Sequence, residues 1–208
     1  RDFDYLEKKG YITRFHGGAK LNLSHIDISP ESHKKEDLHG NEKMLIAKTV
    51  ASMVQERDTV FINAGTTTLE VIKSIKNKHI RVITNNAAAI DHVSGGNLEF
   101  ICTGGVYNEA SKSFIGELST SLIQKVYANL CILGVNGISS SDGITTYAYP
   151  ETMINDLMVK RSKGLKIVAA DGSKVGKTYC FTSSPIENID VLVTDSSADP
   201  EELSKIQQ

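Results

Sequence analysis

Thr-Val-Phe-Ile-Asn-Ala-Gly-Thr-Thr-Thr-Leu, residues 59–69, is the stretch that decides the fold. Its first four residues are β-branched or aromatic and predict a strand that stops at Asn63. Apolar residues then recur at helical spacing from Leu69 to Ile75, so a tight turn joins the strand to a helix. Such a turn directs the first unpaired N–H groups of the helix, with the positive end of its dipole, at one point beyond the strand. An anion fits at that point.

The residues of this turn favour a phosphate monoester as the anion. Gly65 lets the backbone approach closely, and the hydroxyls of Thr66, Thr67 and Thr68 add donors. No lysine follows as in Gly-Lys-Ser/Thr, and the spacing is not Gly-x-Gly-x-x-Gly, so a nucleoside triphosphate and a dinucleotide are both disfavoured. The alternative is that the threonines only cap the helix. The stretch by itself leaves both interpretations open.

The composition is that of an ordinary globular protein. A chain of 208 residues with 40% hydrophobic content can bury one full core. The 23 basic and 25 acidic residues give a formal charge of -2, so any contact with DNA has to be local, and no membrane partner is expected. The three cysteines are odd in number and indicate reduced thiols, hence a cytoplasmic protein. The sequence shows no metal-ligand spacing, and we expect no cofactor.

The first 40 residues predict the end of a small module and then a linker. Residues 1–9 have an amphipathic pattern typical of the last turns of a helix, which Gly10 would end. Residues 11–19 predict a short alternating strand with a glycine turn. Residues 22–40 are polar, contain Pro30 and predict a linker. The chain does not begin with Met, and its first segment is neither a signal peptide nor a membrane span, so we expect a fragment.

This N-terminal segment resembles the DeoR family of bacterial transcriptional repressors, in which a helix with Arg-Asp-Leu-x-x-Leu-Glu-x-x-Gly runs into a wing that ends His-Gly-Gly-Ala. The matching residues are Arg1, Asp2, Phe3 (for the usual Leu), Leu6, Glu7, Gly10, His16, Gly17, Gly18 and Ala19. The resemblance implies that residues 1–21 are the C-terminal remnant of a winged helix-turn-helix domain that lacks most of its recognition helix. Arg14 and His16 of the wing would contact DNA phosphates.

From residue 41 to residue 208 the sequence predicts one α/β domain. Helical stretches alternate with short apolar runs, which implies a mostly parallel sheet with helices on both faces. The predicted strands are residues 59–62, 80–84, 98–102, 130–133, 165–170 and 189–194, and the predicted helices include 41–54, 66–75, 87–93, 117–127 and 151–162, the last with Pro150 as its first residue. Each strand ends in Gly, Asn, Thr, Asp or Lys. Because ligands bind at the carboxyl ends of such strands, we expect these turns to line one crevice.

The same turns extend the resemblance to the DeoR family. Effector domains of that family carry, in order, Asp/Asn-x-Gly-Ser/Thr-Thr, Thr-Asn, Gly-Gly, Phe-x-Gly, Gly-x-x-Gly and Asp-x-Ser-Lys, and this chain has all six, although Asn63 replaces a frequent aspartate. The resemblance implies a sensor domain with the fold of ribose-5-phosphate isomerase and a phosphorylated sugar as effector. Its phosphate would lie on Gly65, Thr66 and Thr67 beside Lys174. The ligand-binding residues expected on this basis are Asn63, Gly65, Thr66, Thr67, Thr68, Asn85, Gly104, Gly105, Asn136, Gly137, Glu151 and Lys174.

The function implied is that of a DNA-binding repressor of carbohydrate metabolism, with operator DNA and a sugar phosphate as partners. The alternative is a sugar-phosphate isomerase, which needs a carboxylate base. Isomerases of this fold place their acids in a Gly-Ala-Asp-Glu-x-Asp turn, where this chain has residues 134–139 without any acid. Asp142, Glu151 and Asp171 remain as acids, and each also has an ordinary role: a turn with Gly143, a helix start, or orientation of Lys174.

The polar segment of residues 139–147 predicts a loop that closes over the ligand. Binding would order this loop and the helix that starts near Glu151, and would change the relative placement of subunits in a homo-oligomer. The spacing of paired DNA-binding domains would then no longer match the operator. The oligomer is implied by the resemblance, and the sequence does not identify its interface.

Overall fold

The structure is a computed structural model that describes residues 12–15, 18–21 and 39–207. The chain divides into two compact units, Arg1–Pro30 and Glu31–Gln208, which are described separately. In the first unit, strands β1 (Ile12–Phe15) and β2 (Gly18–Leu21) pair antiparallel, with Arg14 opposite Ala19. This confirms the strand predicted there. The predicted helix of residues 1–9, the C-cap Gly10, His16 and almost all of the predicted linker lie outside the described residues.

The described part of the second unit contains short strands and five α-helices. Its strands are β3 (Thr59–Ile62), β4 (Arg81–Thr84), β5 (Glu99–Cys102), β6 (Val106–Asn108), β7 (Ser113–Ile115), β8 (Leu130–Leu133), β9 (Gly137–Ser139), β10 (Gly143–Thr146), β11 (Lys166–Ala169), β12 (Phe181–Ser184) and β13 (Val191–Val193). Its α-helices are α1 (Gly40–Met53), α2 (Thr66–Ile75), α3 (Glu117–Gln124), α4 (Tyr149–Arg161) and α5 (Pro200–Ile206). Short 3-10 helices span Ala87–His92, Gly172–Lys174 and Ile186–Asn188.

Six strands form one parallel sheet in the order β13-β11-β8-β3-β4-β5, which confirms the predicted sheet. Alternate residues of the central strands enter two separate cores: Val60 and Ile62 of β3 pack on one face, and Phe61 packs on the other. Helices α1 and α2 supply the first core, and α3 and α4 supply the second. Apolar side chains on both faces of a strand require cover on both sides, so the predicted helices on both faces are confirmed.

The remaining strands form two small antiparallel sheets that the sequence interpretation did not predict. Strands β6 and β7 make a hairpin, and β9, β10 and β12 make a three-stranded sheet. The prediction that residues 139–147 form a loop is therefore wrong. Residues 143–146 form a buried strand of this sheet. Ile138 and Ile144 alternate with polar residues on either side of the Asp142-Gly143 turn, which is the pattern of a β-hairpin. Gly143 has a φ of 69°, which confirms the turn role considered for Asp142-Gly143.

Two helix predictions need smaller corrections. The segment predicted as a helix over residues 87–93 is a 3-10 helix, Ala87–His92, in which the Asn86 side chain accepts a hydrogen bond from the Ala88 N–H. Helix α4 begins at Tyr149, so Pro150 is its second residue, where a missing N–H is still tolerated.

Candidate functional site

A cavity of about 180 Å³ lies where the order of the parallel sheet reverses. From β3 the chain moves outward to β4 and β5, then returns with β8 on the other side of β3 and moves outward again. Such a switch point separates the turns that follow its two strands and leaves a crevice between them. Both turns contribute here: Gly65 and Thr66 follow β3, and Gly134 and Asn136 follow β8.

One wall of the cavity is the N-terminus of α2, residues 65–67, which we call the amide turn. Gly65 is the N-cap of α2, and no side chain of the described residues caps it. Thr68 is buried, and its hydroxyl donates instead to the carbonyls of Asn63 and Gly65. The threonines therefore do not cap this helix. The first N–H groups of α2 have no partner within the helix and lie in the cavity wall, as anion binding requires.

A second turn, residues 85–87, supports the amide turn, and we call it the asparagine turn; its Asn86 also lines the cavity. Asn85 accepts a hydrogen bond from the Ala64 N–H at 2.8 Å and donates to the Phe114 carbonyl at 3.1 Å. Asn86 donates to the Gly65 carbonyl at 3.1 Å. The side chain of Asn85 is therefore used to position backbone groups, and only 2% of Asn85 is exposed.

A lysine and a carboxylate enter the cavity from the end of β11. Lys174 lines the cavity, and among the described residues its ammonium has no hydrogen-bond or ion-pair partner. Asp171 accepts from both the N–H and the hydroxyl of Ser173 through Oδ1, so it caps the 3-10 turn that carries Lys174. No described residue donates to its Oδ2. The expected orientation of Lys174 by Asp171 thus acts through the backbone of this turn.

The turn after β8 brings an amide and a second carboxylate to the cavity. Thr146 donates to Asn136 Oδ1 at 2.7 Å, and its Oγ1 lies 3.4 Å from Glu151 Oε2. All three residues line the cavity together with Tyr147. Among the described residues that line the cavity, three are lysines (Lys43, Lys112 and Lys174) and two are carboxylates (Glu151 and Asp171). This balance suits an anionic ligand that also carries hydroxyl groups.

Buried side-chain amides connect the turns after β3 and β8 with helix α4 by hydrogen bonds. Asn63 Nδ2 donates to the Gly134 carbonyl at 2.8 Å and to Asn155 Oδ1 at 2.9 Å, while Asn63 Oδ1 accepts from the Gly134 N–H at 2.7 Å. Asn155 Nδ2 lies 3.4 Å from the Ser183 hydroxyl. Asn155 and Ser183 both line the cavity, whereas Asn63 does not. The sequence interpretation did not include Asn155 or Ser183, since neither lies at the carboxyl end of a parallel strand.

The structure brings half of the predicted ligand-binding residues to the cavity wall. Those that line it are Gly65, Thr66, Thr67, Asn136, Glu151 and Lys174. Those that do not are Asn63, Thr68, Asn85, Gly104, Gly105 and Gly137. Gly105 and Gly137 are instead close-packing positions: a Cβ would lie 2.5 Å from the Ile115 carbonyl oxygen at Gly105 and 2.3 Å from that of Lys177 at Gly137. The hairpin turn of residues 110–112 and Lys43 of α1 also line the cavity and were not predicted.

Asp142 lies outside the cavity wall, so of the three acids considered as a base only Glu151 and Asp171 lie in it. Hydrogen bonds from Ser141, Thr178 and Ser139 lower the pKa of the Asp142 carboxyl. Its carboxylate thus holds the turn between β9 and β10. The described residues contain no group of three side chains that could hold a metal ion. None of the helices in the described part of the chain has the length and apolarity needed to cross a membrane.

The fold and the cavity define an α/β domain with a polar cavity at the switch point of its parallel sheet. The model of the DeoR C-terminal sensor domain matches residues 38–196. The chain therefore belongs to the DeoR family, as the sequence resemblance implied.

Curated relatives of the chain are transcriptional regulators. FruR, a helix-turn-helix transcriptional regulator of Bacillus subtilis, is 31% identical over 197 residues, which cover 94% of this chain and 78% of the relative. The lactose phosphotransferase system repressor of Lactococcus lactis is 28% identical over 212 residues, covering 100% of this chain and 82% of the relative. A putative aga operon transcriptional repressor of Escherichia coli O157:H7 is 27% identical, covering 100% and 78%.

Two solved structures are similar to the chain at low sequence identity. The translation initiation factor eIF-2B of Pyrococcus horikoshii superposes with a TM-score of 0.50 at 15% identity, over 82% of this chain and 65% of that chain. Ribose 5-phosphate isomerase A of Methanocaldococcus jannaschii gives a TM-score of 0.48 at 11% identity, over 65% of this chain and 54% of that one. The chain thus spans between half and two thirds of the length of these structures.

Proposed function

We propose that the chain acts in transcriptional repression of carbohydrate metabolism, with residues 41–208 as its effector-sensing and oligomerisation domain. The effector is a phosphorylated sugar bound in the cavity. The observation that carries this proposal is the amide turn: uncapped helix N–H groups lie in the wall of a cavity that Lys174 also lines. Together they supply several donors and one full positive charge, which is the usual environment of a phosphate monoester.

The coupling to DNA is the second part of the proposal. Residues 1–21 are the end of a winged helix-turn-helix domain, residues 22–40 are a linker, and Arg14 and His16 contact DNA phosphates from the wing. The effector alters the relative placement of subunits in a homo-oligomer and thereby weakens operator binding. The relatives that are transcriptional repressors support this part. The cytoplasmic location predicted from the cysteines belongs to the same proposal.

The first experiment is a thermal-shift screen of the whole chain against a fixed panel: inorganic phosphate, glycerol 3-phosphate, ribose 5-phosphate, glucose 6-phosphate and fructose 6-phosphate, each at millimolar concentration. A ligand that binds only the folded state raises the melting temperature by mass action. We expect at least one sugar phosphate to exceed the response to inorganic phosphate. Equal responses across the whole panel, or none, would contradict sugar-phosphate sensing.

The matched variants are Lys174→Ala and Lys177→Ala. Lys177 lies three residues further along the same segment but does not line the cavity. A charge-assisted hydrogen bond contributes roughly 1.5–3 kcal/mol, so K174A should weaken phosphate-ester binding by about 10- to 100-fold. K177A should stay within about twofold of wild type. Equal losses in the two variants would mean that the phosphate does not lie on Lys174.

Isomerase activity is kept as a second candidate because Glu151 and Asp171 both place carboxylates in the cavity wall. One of them would have to remove the proton next to the substrate carbonyl. Against this, the turn of residues 134–139 contains no acid, and one of the Asp171 oxygens is used to cap the Lys174 turn. A coupled assay for interconversion of aldose and ketose phosphates tests it directly. We expect the sugar phosphates that stabilise the chain to be recovered unchanged.

A further inference from the structure

We propose that Asn155 recognises the sugar part of the effector by donating a hydrogen bond to one of its oxygen atoms, and that Asn63 fixes Asn155 in this orientation. The proposal rests on the function proposed above, because it concerns the same cavity. It assigns Asn155 as a specificity-determining residue and Asn63 as a positioning residue. Its basis is the order of hydrogen bonds that runs from Gly134 through the two asparagines.

The orientation of Asn63 follows from a backbone group. The N–H of Gly134 can only donate, so the Asn63 side-chain atom 2.7 Å away has to be the oxygen, Oδ1. The other side-chain atom is then Nδ2, and it lies 2.8 Å from the Gly134 carbonyl, which can only accept. Both contacts agree. The two-point pairing with the backbone N–H and C=O of one residue, Gly134, leaves Asn63 no alternative orientation.

The orientation of Asn155 follows in turn from Asn63. The second hydrogen of Asn63 Nδ2 is directed at Asn155 over 2.9 Å, so the atom that receives it has to be Asn155 Oδ1. Nδ2 of Asn155 is thereby placed on the opposite side of its amide. The described residues give this nitrogen one contact, the Ser183 hydroxyl at 3.4 Å, which is at the long limit of a hydrogen bond.

Asn155 is therefore a nearly buried donor that lacks a good partner. Only 6% of its surface is exposed, and the residue lines the cavity. A buried amide N–H without an acceptor is unfavourable, so an acceptor oxygen of a ligand would be stabilised here. Ser183, which is also 6% exposed and lines the cavity, adds a hydroxyl beside it.

The chemistry of this cavity then distinguishes two parts of the ligand. The amide turn and Lys174 suit the phosphate, whereas Asn155 suits a carbonyl or hydroxyl oxygen. Asp171 Oδ2, which receives no hydrogen bond from the described residues, suits a hydroxyl that donates. A donor and an acceptor in one wall match an oxygen-rich carbon chain and add nothing for inorganic phosphate. The ratio of the two dissociation constants, inorganic phosphate over sugar phosphate, therefore measures the contacts made to the sugar, and its change in a variant of Asn155 measures the contribution of that residue.

The test uses Asn155→Asp in the whole chain. The substituted side chain still accepts from Asn63, but a carboxylate oxygen replaces the donor Nδ2. Its negative charge weakens the binding of every anion, and the phosphate ratio separates this general effect from the lost donor. The ratio is measured by calorimetry with inorganic phosphate and with the sugar phosphate of the panel that stabilises the wild-type chain most. We expect it to fall by about tenfold in N155D.

Asn63→Asp tests the positioning role without altering any residue of the cavity wall. The introduced carboxylate keeps the bond from the Gly134 N–H but can no longer donate to the Gly134 carbonyl or to Asn155. Asn155 should then turn its amide so that Nδ2 faces this carboxylate and Oδ1 faces the cavity. The phosphate ratio should fall as it does in N155D. A role of Asn63 in packing alone would lower both affinities equally and leave the ratio unchanged.

The control is Asn188→Asp, because Asn188 also donates to a serine hydroxyl, that of Ser184 at 3.1 Å, but lies outside the cavity wall. Its ratio should equal that of wild type.

If a sugar phosphate binds and the ratio is unchanged in N155D, the assignment of Asn155 is wrong while sugar-phosphate sensing stands. If no sugar phosphate binds the wild-type chain more tightly than inorganic phosphate, both proposals fail. Should N155D not fold, the two single variants Ser183→Ala and N63D decide between the same outcomes. The ratio of dissociation constants should then fall by about threefold in S183A, less than is expected for N155D.

Discussion

The amide turn and the asparagine turn follow neighbouring parallel strands and look alike in sequence, yet they differ in how their polar groups are used. In the amide turn the first N–H groups of α2 are left uncapped at a cavity. In the asparagine turn, Asn85 and Asn86 hydrogen-bond to backbone groups of the protein, including those of Ala64 and Gly65. The backbone donors of the amide turn are therefore left uncapped at the cavity, whereas the side chains of the asparagine turn hold the amide turn in place. Polar residues at the end of a strand can have either role.

Breaking the asparagine turn should have the largest effect. Asn85→Ala leaves the part-buried Ala64 N–H and Phe114 carbonyl without this partner. A buried group without a partner costs roughly 1–3 kcal/mol, and because these two groups are only partly buried each should cost about 1 kcal/mol. We therefore expect the melting temperature to fall by about 4–8 °C and the response to phosphate esters to weaken with it. Asn97→Ala is the control, since Asn97 donates to the Asn77 carbonyl in an exposed contact. A fall no larger in N85A than in N97A would contradict the supporting role.

Altering the amide turn should affect binding and leave stability almost unchanged. Thr67→Val keeps the shape of the side chain and removes a hydroxyl that has no partner among the described residues. We expect the affinity for phosphate esters to fall by about 3- to 10-fold, with a change in unfolding free energy within about 0.5 kcal/mol. Calorimetric titration and thermal melting measure the two quantities. Thr68→Val should show the reverse, because the Thr68 hydroxyl bonds to the Asn63 and Gly65 carbonyls.

The smallest effect is expected for Asp142, which lies outside both turns. Hydrogen bonds from Ser141 and Thr178 hold its pKa below the usual range of an aspartate. The Asp142 carboxyl thus binds a proton less readily in the folded state than in the unfolded state. The stability contributed by the Asp142 carboxylate is therefore complete above about pH 5 and disappears as the pH falls through its folded-state pKa. Asp142→Asn should lower the melting temperature by about 2 °C at pH 7 and by less at pH 3. If the difference in melting temperature between wild type and D142N grew as the pH fell, the stabilising effect assigned to the Asp142 carboxylate would be wrong.

The sequence predicted the parallel sheet because its signals are local. The β-branched runs and the helical periodicity lie within single elements, such as residues 59–62 and 66–75, and the structure confirms both. The carboxyl ends of parallel strands meet at one edge, so the position of the cavity followed from strand direction. The β6–β7 hairpin was missed because its strands are three residues each, too short for a periodic pattern.

The roles of single asparagines could not be predicted in this way. Asn63 and Asn136 both follow strands, but Asn63 bonds to Gly134, 71 residues away, whereas Asn136 reaches the cavity wall. An asparagine side chain donates and accepts equally well, so its role depends on which groups the tertiary structure brings near it. Asn155 carries no local signal, since it lies in the middle of a helix.

The central position of β3 in the sheet has a consequence for how the nascent chain folds. β3 can pair with β4 soon after both are synthesised, but its other neighbour, β8, ends at Leu133. Until then one edge of an apolar strand has no partner, which is the condition that favours aggregation and slow, non-local folding. We expect ribosome-bound chains to become protease-resistant around β3 only once β8 has left the exit tunnel. Translation speed between these two strands should therefore influence the yield of folded protein.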